Sequence, residues 1–231
     1  MNIERSIVFI FNDKQWPKKV LLGGVFSLLF FTVFFAFVVA GYVMRVFCNA
    51  LEGRDANLPD WDDLGGFFNE GLLPVMIGIL YTVPFIALFI LEQIVHAIVG
   101  FSFSAFLVFG MVNLFINALV GLVISVLFPL GMVRFAVKRS TRAAFEFRHI
   151  FDFIKRNPGT YLTAWAVSTF LFGLIGAVGL VGLFVGVAVT GFASALMSAH
   201  LYAAAYRASR PFADDRDGEL RASMALPPPL H

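Results

Sequence analysis

The chain has 231 residues, of which 59% are hydrophobic and only 14% are charged. Soluble domains carry about 45–50% apolar and about 25% charged residues, so this composition excludes an ordinary soluble globule. A formal net charge of +2 gives no electrostatic case for nucleic-acid binding, and a lone cysteine excludes a disulfide within the chain.

Four long uncharged blocks organise the sequence. They cover residues 20–44, 71–91, 93–133 and 157–206. A membrane-spanning helix needs about 20 predominantly apolar residues. The first two blocks therefore predict one span each, and the fourth predicts a hairpin of two spans with glycines at its turn.

Two of the blocks leave alternatives open. The third block is long enough for two short spans, or for an interfacial segment near residues 100–104 followed by one long tilted helix ending near Val137. The first block could break near Thr32 and return as a short hairpin. Backbone groups must be paired within hydrocarbon, so each block is expected to be helical. The predicted fold is an all-α, polytopic transmembrane helical bundle of five or six spans. It forms a single domain over 1–210, and a flexible tail covers 211–231.

The segments between the blocks have the periodicity of amphipathic helices that lie in the membrane interface. Apolar stripes are formed near the N-terminus by Ile3, Ile7, Ile10 and Phe11, after the first block by Leu64, Phe67 and Phe68, and after the third by Phe147, Ile150, Phe151 and Ile154. Asp62 or Asp63 is the expected N-cap of the second helix. The residues expected to contact lipid or its headgroups are Trp61, Phe147, Arg148, Phe151, Lys155 and Arg156.

Charge predicts which side of the membrane the loops face. Residues 134–156 contain seven basic and two acidic residues, which is typical of a cytoplasmic loop. The loop over residues 45–70 is acidic, and acidic residues count little in this rule. Arg5, Lys14, Lys18 and Lys19 favour a cytoplasmic N-terminus, which would put this loop outside in a chain of six spans. A weak internal repeat, in which Gly41 to Arg45 matches Gly131 to Arg134, instead favours both loops on the cytoplasmic side, with five spans.

A few polar side chains interrupt the apolar blocks. Ionisable groups inside a membrane are functional candidates by default, and polar ones commonly join helices by hydrogen bonds. Capping beside Trp61 explains Asp60, Asp62 and Asp63 without any ligand. The candidate intramembrane polar residues are Glu92 and His96, Asn113 and Asn117, both pairs at i, i+4 spacing, and His200.

Several runs resemble one known family. They include Gly41-Tyr42 before Arg45, Leu58-Pro59 with Trp61-Asp62-Asp63 and Gly65, and Asn157-Pro158-Gly159 before Tyr161. The family comprises small prokaryotic membrane proteins catalogued as a domain of unknown function, series number four thousand and thirteen. The resemblance covers roughly Trp16 to Arg207. It implies a multi-pass protein of the prokaryotic cytoplasmic (inner) membrane and transfers no site.

Function is predicted chiefly from what the motifs lack. We find no nucleophilic triad, phosphate-binding glycine loop or metal-ligand spacing, so the chain is expected not to be an enzyme and to need no cofactor or metal. The first hypothesis is an accessory, assembly or scaffold subunit whose partners are membrane lipids and other membrane protein subunits, with no nucleic acid or soluble substrate. The alternative is a small-solute or ion transporter. The third hypothesis is an intramembrane enzyme acting on lipid.

Overall fold

The computed structural model describes residues 3–54, 57–99 and 103–209, and the regular structure within them is helical. Five of the helices, α3, α4, α5, α7 and α8, are long and apolar enough to cross a membrane. The protein is therefore an all-α, multi-pass membrane protein, as the composition predicts. The helices are α1 (Ile3–Val8), α2 (Trp16–Leu28), α3 (Phe34–Leu51), α4 (Leu64–Val99), α5 (Phe103–Lys138), α6 (Phe147–Arg156), α7 (Pro158–Val181) and α8 (Leu183–Ser209).

The first apolar block is a hairpin of two helices. A 3-10 turn at Leu29–Thr32 separates α2 from α3, and Val33 then adopts a φ of 56°, which is strained for a β-branched residue. The break near Thr32 is thus confirmed, and of the two helices in this block α3 is long and apolar enough to cross a membrane. With 13 residues, α2 is too short to cross a bilayer.

The second and third blocks form two helices of 36 residues each, α4 and α5. The third block is therefore one long helix ending at Lys138, close to the end expected at Val137, and the division into two short spans is wrong. The interfacial segment expected near residues 100–104 falls partly on residues 100–102, outside the described residues. The separate surface helix expected at Leu64 is instead the first turn of α4.

The fourth block is the predicted hairpin, with Gly182 at its turn. A Cβ on Gly179 would lie 2.9 Å from the carbonyl oxygen of Gly186, so α7 and α8 touch through their backbones here. Glycine is needed at this contact because any side chain would push the two helices apart. The tail over 211–231 lies outside the described residues.

All three hairpins, α2–α3, α4–α5 and α7–α8, open towards one end of the bundle, which we call the polar end. The Lys19 ammonium donates to the Leu58 carbonyl, and the Tyr81 hydroxyl donates to the Ala144 carbonyl. The first bond holds the loop after α3 beside the start of α2, and the return of α5 along α4 brings the loop after α5 to the end at which α4 begins. Both loops therefore lie at the same end of the bundle, as the internal repeat favours, and their side of the membrane stays a prediction.

The hairpins differ in height above the polar end. An ion pair between Arg45 and Glu70 sets a common level on α3 and α4. At ~1.5 Å per residue, α3 reaches its turn about 17 Å above this level, whereas α4 continues for about 43 Å to Val99. The hydrocarbon core of a bilayer is about 30 Å thick. If that ion pair marks the near edge of this core, α2–α3 is a re-entrant hairpin and α4–α5 is longer than the core.

The connecting segments pack against protein more than the amphipathic pattern predicts. Near the N-terminus, Phe9 and Ile10 are buried while Phe11 is exposed. Phe67 is fully buried in the core formed by α2, α3 and α8. The expectation that these stripes face acyl chains is wrong for these residues, because neighbouring helices provide an apolar surface at the same depth.

Candidate functional site

A buried ion pair closes the polar end. The Lys19 ammonium lies 2.8 Å from carboxylate oxygens of both Asp13 and Asp60. Burial opposes ionisation of Asp13, but hydrogen bonds from Lys19 and from the Gln15 N–H hold its pKa below the ordinary value. The carboxylate oxygen of Asp13 that accepts from Lys19 also accepts from the Leu58 N–H. This network ties the segment before α2 to the loop after α3.

Trp61 belongs to the same network and is not a simple headgroup anchor. Its indole Nε1 donates to the Lys19 carbonyl at 3.0 Å, and its ring stacks on Tyr42 with centroids 4.0 Å apart. The Tyr42 hydroxyl donates to the Pro59 carbonyl, which fixes the loop from a second direction. The lipid contact expected for Trp61 is therefore largely replaced by contacts with protein.

Replacing Trp61 tests this structural role. Trp61→Phe keeps an aromatic ring but removes the bond to Lys19, and we expect a loss of about 1 kcal/mol, or roughly 2–4 °C in Tm. The control is Trp165→Phe, because the Trp165 indole donates to the Ser125 hydroxyl at an exposed position. Thermal unfolding in mild detergent measures the Tm of both variants. Equal Tm values for the two would contradict the structural role.

The start of α4 is capped as the sequence predicts. The Asp63 carboxylate accepts from the Gly66 N–H at 2.8 Å, which is the geometry of an N-cap. Arg45 donates to Asp63 and Glu70 and lies 4.1 Å from the centre of the Phe67 ring. The carboxylate at this position therefore has a structural role, which matches the interpretation without a ligand.

The apolar residues of helix α6 are partly buried against protein and partly exposed. Ile150 and Phe153 are buried in the core formed with α5, α7 and α8, although Phe153 was not part of the predicted stripe. Phe147 and Phe151 remain exposed, as expected for lipid contact. The three basic residues expected at headgroups, Arg148, Lys155 and Arg156, are also exposed.

Arg134 is buried at the end of α5, where it pairs with Glu146 and donates to the Ala143 carbonyl. Partial burial opposes ionisation of Glu146, but the bond from Arg134 holds the pKa of this carboxyl below the ordinary value. The pair therefore stabilises the fold above the unfolded-state pKa, and this contribution is lost as the pH falls through the folded-state pKa.

We expect the Tm of the wild type in detergent to fall between pH 5 and pH 3, and Glu146→Gln to reduce this fall by a few degrees. The substitution should also lower the Tm at pH 7, because it leaves a buried cation without its anion. Parallel Tm profiles for the two proteins across this pH range would show that Glu146 contributes nothing to the acid sensitivity.

Four of the five polar residues predicted inside the membrane form one polar band within the α4–α5 hairpin. Glu92 and His96 lie 3.7 Å apart on α4, and the Asn117 side-chain amide donates to the Asn113 carbonyl on α5 at 3.0 Å. The His96 ring lies 6.3 Å from the Phe109 ring, which in an antiparallel pair sets Glu92 level with Asn113. All four side chains are half-buried. Counted from Glu70, Glu92 lies about 33 Å along α4, close to the far interface.

His200 is buried at the other end of the molecule. Its Nδ1 lies 3.0 Å from the Ser6 hydroxyl, and its ring stacks on Phe9 at 4.4 Å. These contacts join α8 to α1 and to the 3-10 turn that follows α1. The arrangement places His200 in a structural position between helices rather than at a cavity.

A feature that the sequence did not predict is a crevice of about 710 Å³ lined by α3, α4, α5, α7 and α8. Its walls are mostly apolar, and Trp165 and Phe172 contribute aromatic surface from α7. Two buried serines, Ser168 and Ser198, also line it. In the sequence these serines are small residues scattered in apolar blocks, and their spacing gives no signal of a shared site.

The crevice and the polar band are separate. Glu92, His96, Asn113 and Asn117 do not line the crevice, whose described walls carry no charged side chain. In the described ranges 3–54, 57–99 and 103–209, no three His, Cys, Asp or Glu side chains gather as metal ligands would. Chemically, the site is suited to a neutral, lipophilic guest held by apolar contact and few hydrogen bonds.

Comparison with known proteins gives one match. The model of the family described as "Protein of unknown function (DUF4013)" matches residues 25–186. No curated protein and no solved structure matches the chain. The matched range runs from α2 to the start of α8 and includes the Leu58-Pro59 loop, Trp61 and the Asp63 cap. Because the match covers most of the sequence, this multi-pass membrane protein belongs to the DUF4013 family.

Proposed function

We propose that this protein is a non-enzymatic accessory or scaffold subunit of a membrane complex, and that it binds another membrane subunit through the α4–α5 hairpin. The observation that carries the proposal is the apolar outer surface of this hairpin, much of which is exposed in the described part of the chain. The family supplies no activity, so the argument rests on this surface.

The exposed apolar surface of the hairpin extends around both helices. On α4, Phe89 and Ile98 are exposed, and on α5 the adjacent residues Leu114 and Phe115 are both 72% exposed. Adjacent residues on a helix point in different directions, so apolar side chains face outward over a wide arc. A helix that is apolar all round is either surrounded by lipid or packed among other helices.

The length of the α4–α5 hairpin favours partner helices, rather than lipid alone, as the cover of its outer surface. Helix α4 continues for about 43 Å beyond Glu70, against a hydrocarbon core of about 30 Å, although its uncharged part ends at Glu92, about 33 Å along. Tilting or local thickening of the bilayer accommodates a few ångströms of mismatch, and the remaining apolar surface, which includes Ile94 and Met111, would meet headgroups or water. Packing against another subunit removes that surface from water.

A photo-crosslinking amino acid placed at Leu114 or Phe115 tests the proposal in native membranes. We expect a discrete protein adduct whose cross-linked peptide lies in a transmembrane helix of a different protein. Phe170 on α7 is the matched control, because it is equally apolar and 65% exposed but lies outside the hairpin. Lipid adducts alone at all three positions would refute the proposal, and adducts with a second copy of this chain would replace it with self-association.

We further propose that the polar end faces the cytoplasm of a prokaryotic cell and that the protein lies in its inner membrane. The support is the basic loop that contains α6, together with the contacts that bring the acidic loop to the same end. Single cysteines placed at Asp62, Ser102 and Arg148 test the orientation. A membrane-impermeant thiol reagent added to intact cells should modify only the cysteine at Ser102, and labelling at Arg148 would reverse the assignment.

The alternative function is transport of a small solute or ion along the polar band. Glu92→Gln and Asn117→Ala should abolish flux in liposomes if the band conducts. Glu92 contacts His96 and Asn117 contacts Asn113, each within one helix and away from the crevice, which favours a structural role instead. Flux that requires Glu92 would make transport the better account.

A further inference from the structure

We propose that the crevice binds one acyl chain of a bilayer phospholipid, with the Ser198 hydroxyl donating a hydrogen bond to the ester carbonyl of that chain. This site is independent of the α4–α5 surface, so either proposal can fail without the other. The argument uses the unpaired hydroxyl, the chemistry of the walls, and the size and position of the crevice.

The first observation is an unsatisfied hydroxyl. Ser198 is 7% exposed, and its Oγ has no hydrogen-bond partner among the described residues. Leaving a buried hydroxyl unpaired costs about 1–3 kcal/mol, so such groups usually have a partner that completes them. Ser198 lines the crevice, and a guest with an acceptor atom would therefore satisfy it.

The second observation is the character of the walls. Apart from hydroxyls and the Trp165 indole, the lining is apolar, and the described lining residues are uncharged. A charged headgroup would lose its hydration without a counter-charge and is excluded from this space. An ester carbonyl is an uncharged acceptor, and the chain attached to it matches the remaining apolar wall.

Size and position select an acyl chain over a protein segment. A volume near 710 Å³ lies within the range of small-ligand sites, about 300–1,000 Å³. A helix is about 10–12 Å wide, so roughly six of its residues would fill the space, too few to form a stable contact. The Arg207 guanidinium lies beside Gly53, which follows Arg45 by eight residues, and Ser198 precedes Arg207 by nine residues on α8. Ser198 is therefore close to the level of the Arg45–Glu70 ion pair, taken as the edge of the hydrocarbon core, near which ester carbonyls are found.

Gly78 allows the crevice to be filled without disturbing its walls. A Cβ on Gly78 would approach no closer than 4.0 Å to the Phe128 ring, so Gly78→Leu projects into free space. Gly173 on the outer face of α7 is the matched control, because a Cβ there meets nothing within 4 Å. Both variants place the same side chain on a helix, but only the first occupies the crevice.

The experiment is native mass spectrometry after reconstitution with palmitoyl-oleoyl phosphatidylglycerol and extraction in detergent strong enough to strip loosely held lipid. We expect one retained phospholipid on the wild type and on Gly173→Leu, at least a tenfold loss on Gly78→Leu, and a several-fold loss on Ser198→Ala. Equal retention by all four proteins, or retention by none, would overturn the proposal. Full retention by Ser198→Ala would overturn the role of its hydroxyl.

A second measurement does not depend on the variants folding. A phosphatidylcholine whose acyl chain carries a diazirine is reconstituted with the wild type and irradiated. Insertion should map to crevice residues such as Met44, Val75 or Ala199, as well as to exposed positions that ordinary bilayer lipid reaches. Insertion confined to exposed positions would show that the crevice holds no chain.

Discussion

Gly41→Ala should destabilise the protein by about 3 kcal/mol or prevent its folding. A Cβ on Gly41 would lie 2.9 Å from the backbone nitrogen of Gly71, and closer still to the Phe67 carbonyl oxygen. Backbone atoms cannot move aside as a flexible side chain does, so α3 and α4 would have to separate along their whole contact. Overpacking within a core costs about 1–3 kcal/mol before such a separation is counted.

The sign of this effect makes the prediction specific. In an exposed helix interior, alanine is about 1 kcal/mol more favourable than glycine, so Gly173→Ala should be neutral or stabilising. Thermal unfolding in the same detergent compares the two variants. Adding Gly71→Ala to Gly41→Ala should cost less than its separate effect, since both residues belong to one contact. A Gly41→Ala protein as stable as the wild type would contradict the close packing of α3 on α4.

Asp13→Asn should lower stability by about 3 kcal/mol, or roughly 6–12 °C in Tm, because it leaves the buried Lys19 ammonium without its buried partner. Asp60→Asn is an unusually close control. Both carboxylates lie 2.8 Å from the same nitrogen, but the Asp13 side chain is 6% exposed and that of Asp60 is 68% exposed. An exposed ion pair contributes at most about 1 kcal/mol, so the control should shift the Tm by only a few degrees.

Thermal unfolding at pH 7 measures the Tm of both variants, and protease cleavage shows which part of the structure is loosened. Loss of the ion pair should loosen the contact between the segment before α2 and the loop after α3, which protease cleavage near Leu58 would detect. Similar Tm values for the two variants would show that burial of Asp13 has no energetic role. Destabilisation by Asp60→Asn alone would reverse the assignment.

The long apolar helices were predictable because their chemistry is local. The bilayer sets a length of about 20 apolar residues, and charged residues at the block ends mark where each stretch leaves the hydrocarbon. The α7–α8 hairpin, the cap at Asp63 and the break near Thr32 follow from residues close in sequence. In a membrane protein these signals are stronger than in a soluble one, because unpaired backbone is not tolerated in lipid.

Which surface an amphipathic stripe faces was not predictable in the same way. Phe67, Ile150 and the Trp61 ring are apolar in the expected positions, but each packs against protein. Lipid tails and protein cores are equally apolar, so periodicity alone does not distinguish them. The relative positions of the candidate polar residues were not predictable either, because it is the register between α4 and α5 that sets Glu92 level with Asn113.

The sequence by itself determined that this is an all-helical membrane protein with long apolar helices, because helix formation and burial in lipid depend on contiguous composition. Only the tertiary structure decided that three hairpins of unequal height open towards one end, that Asp13 reaches Lys19 and Leu58, and that Ser198 faces a lipophilic crevice. These features join residues far apart in the chain, and helix–helix packing depends on surface shape and small residues that leave only weak patterns in the sequence.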